Sequence, residues 1–275
     1  MDRRPIGVMD SGLGGLSVMR VLRDELPAES LTFVGDQGHF PYGTKSQAEI
    51  RRLSLAIGHF LVQQDAKMMV IACNTATGAA LSTLQKELPI PVIGVIRPGA
   101  AAALSTGAHR VGVIGTDSTI KNGAYEATLH DLQPDVEVVS QPAQPLVSIV
   151  EHGQTGTAQA QLAVDKSLQV FDHQTVETLI LGCTHFPFLR KEIQQKMGSN
   201  VRLVDPAFET VQQVKRSLAE QSLLAPEGNP FRRVNLYSTG RKEDLQRGAN
   251  QWLGGRYNLC NHLDLEEEWA QWQPW

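Results

Sequence analysis

Residues 68–76 read MMVIACNTA and residues 178–186 read TLILGCTHF. In both, a short apolar run ends on a cysteine, Cys73 or Cys183, that opens a polar turn. Such a run, bounded by a turn signal, is the pattern of a strand buried on both faces. Around these two stretches, runs rich in Val and Ile alternate with amphipathic stretches of helical period. That alternation predicts an α/β protein with mainly parallel sheets.

Strands are expected at 6–9, 31–34, 69–72 and 92–95, then at 111–114, 136–139, 179–182 and 202–204. Corresponding members of the two sets lie about 105, 105, 110 and 110 residues apart, so the chain reads as two similar halves. Helices are expected at 16–25, 46–64 and 77–88 in the first half, and at 119–132, 157–171 and 187–197 in the second. A helix at 206–221 follows, then a PEGNP loop at 226–230, a strand at 234–238 and a helix at 242–253. This tail has no counterpart in the repeat and is expected to pack back on one half. The domains are accordingly 1–97 plus 208–275, holding Cys73, and 98–207, holding Cys183. The end, EEEWAQWQPW at 266–275, is acidic and aromatic, and reads as a docking segment or a frayed terminus.

Composition narrows the function classes. A chain of 275 residues with a net charge of -4 has no long-range attraction for nucleic acid, and its basic residues occur in pairs such as Arg51 and Arg52. No run approaches the roughly 18 to 20 apolar residues that a membrane span needs. The amino terminus is too short and polar for a secretory signal, so a cytoplasmic protein is expected. Three cysteines make no disulfide framework. No CxxC or HxxxH spacing is present, so no metal site is expected.

The chemistry-bearing motifs fall at strand ends, where an α/β sheet places its ligand site. The first strand runs into DSGLGGLS, with Asp10 and Ser11; the second into GDQGHFPYG, with Asp36, Tyr42 and Gly43; the third into CNTAT, with Asn74 and Thr75. The first loop lacks both the Walker ending and the GxGxxG spacing. The second half offers GTDSTI at 115–120, with Thr116 and Thr119, PLVSIVEHG at 145–153, with Glu151, and CTHFP at 183–187, with Thr184 and His185. Between two such halves, one thiol can remove a proton from one face of a stereocentre while the other delivers a proton to the opposite face. Racemisation needs that arrangement. A free thiol has a pKa of about 8.5, and a helix amino terminus lowers it, so the thiolate is expected to be favoured at both cysteines. Glu151 and His185 are candidates to serve Cys183, and Asp10 to serve Cys73. Ser11, Asn74, Thr75, Thr116, Thr119 and Thr184 are candidates to stabilise charge built on the substrate. Taken singly, these residues have simpler readings: Asn74 and Thr75 as a helix cap, Asp10 likewise, His185 as a structural hydrogen-bonder, Cys260 as a small buried hydrophobe.

DSGLGGLSV at 10–18, GDQGHFPYG at 35–43, ACNTAT at 72–77, GTDSTI at 115–120 and LGCTHFP at 181–187 occur in this order, and with them the chain resembles the cofactor-independent aspartate/glutamate racemase superfamily, in particular its glutamate racemases. The likeness spans about residues 5–255. It implies two pseudo-symmetric α/β domains with the active site in the cleft, no cofactor such as pyridoxal phosphate, and interconversion of L- and D-glutamate for bacterial peptidoglycan and cell-wall biogenesis. It further implies a homodimer. In that likeness Cys73 deprotonates D-glutamate and Cys183 deprotonates L-glutamate, with Asp10, Glu151 and His185 assisting. Its substrate contacts are Asp10, Ser11, Pro41, Tyr42, Gly43, Asn74, Thr75, Thr116, Thr119, Thr184 and His185. Two alternatives stay open: an aspartate racemase with a shorter side-chain pocket, and a binding or regulatory protein that keeps the cleft only as a scaffold.

Overall fold

The computed structural model describes residues 1–267. Its strands are β1 (Ile6–Asp10), β2 (Leu31–Gly35), β3 (Met68–Ile71), β4 (Val92–Gly94), β5 (Arg110–Gly115), β6 (Glu137–Pro142), β7 (Thr178–Gly182), β8 (Arg202–Val204), β9 (Val234–Ser238) and β10 (Leu259–His262). Its helices are α1 (Leu16–Glu25), α2 (Gln47–Gln63), α3 (Asn74–Glu87), α4 (Ile96–Leu104), α5 (Asp117–Asn122), α6 (Ala124–Leu132), α7 (Pro145–Glu151), α8 (Ala158–Ser167), α9 (Arg190–Met197), α10 (Pro206–Glu220) and α11 (Lys242–Leu253).

Two parallel sheets form. One runs β10-β9-β2-β1-β3-β4 and the other β6-β5-β7-β8. The order 2-1-3-4 in the first recurs as 6-5-7-8 in the second, so the offset read from the sequence is a duplicated topology. Register agrees: Ile6 lies beside Leu31 and Met68, and Val111 beside Val138 and Thr178. Strands β1, β2, β3 and β7 are buried along their whole length, because helices cover both faces of each sheet. Side chains alternate between the two covers. Val8, Phe33 and Val70 pack toward α1, α10 and α11, while Met9, Val34 and Ile71 pack toward α2 and α3. In the second sheet Leu179 and Leu181 meet α7, α8 and α9, whereas Val111, Val113 and Ile180 meet α4 and α6. The tail adds β9 and β10 to the first sheet beyond β2.

Several expectations change. The stretch between 95 and 111, for which no element was expected, holds α4, whose Pro98 lies in the first turn, where its missing N–H breaks no intrahelical bond. The helix expected over 119–132 is two helices, parted where Gly123 takes a left-handed φ of 69°. The loop opening PLVSIVEHG is the short helix α7, started by Pro145 at its first position. Strand β10, not expected, extends the sheet after α11. The Trp-rich segment after Glu267 lies outside the described residues. Among those described, no helix is long and apolar enough to cross a membrane.

Candidate active site

Six strand ends converge on one cavity. Ser11 follows β1, Phe40 to Gly43 follow β2, and Cys73 to Thr75 follow β3; Thr116 follows β5, Gln144 follows β6, and Cys183 to His185 follow β7. The cavity is narrow, about 20 Å³. Both sulfurs are buried, Cys73 at 4% and Cys183 at 6% exposure.

The two thiols sit differently. Cys73 is the cap residue of α3, which therefore begins three residues earlier than expected, and its sulfur accepts from the Ala76 N–H at 3.4 Å. It also lies 3.6 Å from the Ser11 hydroxyl. The helix amino terminus does not prevail there. Burial, with the Asp10 carboxylate nearby, pushes the Cys73 thiol up to about 12, so the thiolate expected from its helix position is not favoured in the closed cavity. Cys183 precedes a short 3-10 turn, Phe186–Leu189, instead of a long helix. Its sulfur is 3.6 Å from His185 Nδ1, and His185 Nε2 is 2.5 Å from Glu151 Oε1. Burial opposes a charge on that ring, but the sulfur on one nitrogen and the carboxylate on the other hold the imidazole proton, raising its pKa to about 10. Phe40 tilts over the His185 ring, with centroids 6.0 Å apart.

Asp10 does not hydrogen-bond the Cys73 sulfur. Its Oδ2 accepts from the Gly12 N–H at 3.0 Å, and its Oδ1 accepts from the Thr184 hydroxyl of the other half at 3.3 Å. Burial pushes its carboxyl up to about 6, against the pull of His185 and of its hydrogen bonds. Gly14 of the DSGLGGLS loop is required by this crossing. A Cβ on Gly14 would stand 2.3 Å from Thr184 Oγ1 and 2.7 Å from His185 Nδ1.

Around the sulfurs, hydroxyls and amides line the wall. Thr75, Thr116 and Thr119 form a triangle of contacts at 2.9 to 3.0 Å that joins the halves, although Thr119 lies behind the lining. Tyr125 donates to Asn74 Oδ1 at 2.6 Å, which leaves the Asn74 amide nitrogen for a ligand. Tyr42 donates to the buried Asp36 at 2.5 Å. The same carboxylate takes the Thr239 hydroxyl at 2.6 Å and His39 at 2.7 Å, and thereby fixes the loop carrying Pro41 and Gly43.

Of the residues singled out from sequence, Ser11, Pro41, Tyr42, Gly43, Cys73, Asn74, Thr75, Thr116, Cys183, Thr184 and His185 line the cavity. Asp10, Glu151 and Thr119 stand one layer behind. Phe40, Gln144 and Val147 also line it and were not singled out. Phe40 and Val147 lie inside quoted motifs and could have been included; nothing in the sequence marks Gln144. Among the described residues no group of three or more His, Cys, Asp or Glu side chains could hold a metal ion.

The arrangement invites comparison with known proteins. Residues 6–214 match the Asp/Glu/Hydantoin racemase family. The chain is 65% identical over 268 residues to a glutamate racemase of Limosilactobacillus reuteri (strain DSM 20016), covering 98% of this chain and 100% of the other. A solved glutamate racemase from Bacillus anthracis superposes with a TM-score of 0.90 at 36% identity, over 94% of this chain and 97% of that one. The glutamate racemase of Francisella tularensis, solved in complex with D-glutamate, also gives 0.90, at 34% identity, over 97% and 100% of the two chains.

Proposed function

The chain belongs to the Asp/Glu/hydantoin racemase family, and from that premise we propose that it interconverts L- and D-glutamate by exchange of the α-proton between two cysteines. It is an isomerase, and in this reading its D-glutamate supplies bacterial peptidoglycan. One observation carries the mechanism: two buried thiols, one from each half, line a single cavity.

In this reading Cys73 takes the α-proton of D-glutamate while the Cys183 thiol returns one on the opposite face, and L-glutamate runs the roles in reverse. With its thiol pushed up to about 12, Cys73 is ready to act as the acid. To act as the base it needs a cation beside it, and the substrate ammonium is one. On the opposite side His185 moves a proton between the Cys183 sulfur and Glu151. Asp10 acts from behind, through its charge near Cys73 and its bond with Thr184. Removing the α-proton builds charge on the adjoining carboxylate. Ser11, Asn74, Thr75, Thr116 and Thr184, with the backbone of Tyr42 and Gly43, are the donors for the two carboxylates, Thr119 orients Thr75 and Thr116 from behind, and Pro41 shapes the wall.

Incubation with L-glutamate in deuterated water should yield D-glutamate deuterated at the α-carbon, and the absence of both inversion and exchange would overturn the reading. Cys73→Ser should lower racemisation by at least about 100-fold, because the hydroxyl cannot replace the thiol in proton transfer. A protein acting only as a binding scaffold would be unaffected. Turnover of aspartate beside glutamate tests the shorter substrate. We also take the protein to be cytoplasmic and a homodimer, with domains 1–97 plus 208–275 and 98–207; light scattering on the purified protein tests the dimer.

A further inference from the structure

Gln144, between β6 and α7, reaches from the second half toward the first. Its Oε1 accepts from the Asp117 N–H at 3.4 Å, and the same oxygen occupies the space beside Gly43, where a Cβ would come within 2.3 Å of it. This bond fixes which end of the carboxamide is oxygen. The nitrogen, with two N–H donors, has no protein partner among the described residues. Gln144 nevertheless lines the cavity. No Lys or Arg does so, and both nitrogens of the lining His185 are already taken by Cys183 and Glu151, so a carboxylate seated beside Gly43 must be met by neutral donors.

We propose that Gln144 is a substrate-binding residue, its Nε2 donating to the glutamate carboxylate that seats against Gly43 and Thr116. The proposal rests on the glutamate reading above and adds to it a donor contributed by the second half, on the wall where that half meets Gly43. Because the oxygen is held by Asp117, the donor is oriented before substrate arrives, which lowers the ordering cost of binding.

Two variants separate this role from that of a strut. Gln144→Glu keeps the length and the acceptor for the Asp117 N–H but sets a negative charge where the donor was. Gln144→Met keeps the bulk and loses both. Calorimetric titration of each full-length protein with D-glutamate should show binding weakened about 10- to 100-fold in Gln144→Glu and about tenfold in Gln144→Met, with KM rising in proportion and kcat changing far less. Wild-type affinity in Gln144→Glu would overturn the proposal and leave Gln144 as a strut, whatever Gln144→Met does. If the wild-type protein binds D-glutamate without racemising it, the proposed activity fails while the binding comparison still decides the role of Gln144. A wild-type protein that does not bind D-glutamate overturns both.

Discussion

The Cys183 sulfur and the Glu151 carboxylate sit on opposite nitrogens of the His185 ring, at 3.6 and 2.5 Å, whereas Cys73 has a serine hydroxyl and a backbone N–H. Two thiols in matching sequence contexts thus sit beside different polar partners. His185 gives this asymmetry a measurable sign. Its folded pKa, about 10, lies above the ordinary imidazole value, so the stability it lends is fully present below about 6.5 and is lost as pH rises through about 10. The thermal midpoint of the wild-type protein should therefore fall across that window. Glu151→Gln removes one of the two groups that hold the proton, so its imidazole should titrate at lower pH by NMR and the alkaline fall should begin sooner. An unchanged His185 titration would remove Glu151 from the relay. These pairings were only partly legible beforehand: His185 stands two residues from Cys183, but Asp10 turns to Thr184, 174 positions away, and no spacing announces it.

At the scale of elements, strands and long helices follow from period and propensity, and α1, β8, β9 and α11 have the bounds expected of them. The misses have local causes. α4 is nine residues with Pro98 in its first turn and α7 is only seven residues long, both too short for a helical period to stand out. In the loop between β1 and α1, Gly14 lets the halves touch. Gly14→Ala should force Thr184 and His185 aside, costing about 1–3 kcal/mol of stability as overpacking does. Racemisation should fall at least about tenfold, since small misplacements of catalytic groups are expensive. Denaturant unfolding and initial rates measure the two effects. Full activity in Gly14→Ala would mean that the close approach is not part of the working enzyme.

For the whole molecule, a cavity of about 20 Å³ is large enough for a water but far too small for glutamate, so it must widen to admit substrate and close again around it. That requirement predicts chemical protection. Iodoacetamide should reach Cys73 and Cys183 only through the open form, and D-glutamate at ten times its Kd should slow their alkylation by roughly tenfold, by mass action. Cys260, which lies outside the cavity, should react at an unchanged rate. Peptide mapping by mass spectrometry reads all three. Equal rates at Cys73 and Cys183 with and without ligand would place the substrate elsewhere.

The sequence by itself determined the two sets of parallel strands, their duplication, and the gathering of Cys73, Cys183 and the polar turns at strand ends. These follow from hydrophobic period and from spacing along the chain, which are local or repeat at a fixed offset. Only the tertiary structure decided which side chain meets which: that Asp10 bonds Thr184 across the cleft, that burial raises the Cys73 thiol against its helix terminus, and that Gln144 reaches Gly43. Such contacts depend on ångström-scale placement of one half against the other, and on how far water is excluded between them, and neither quantity is written in the order of the residues.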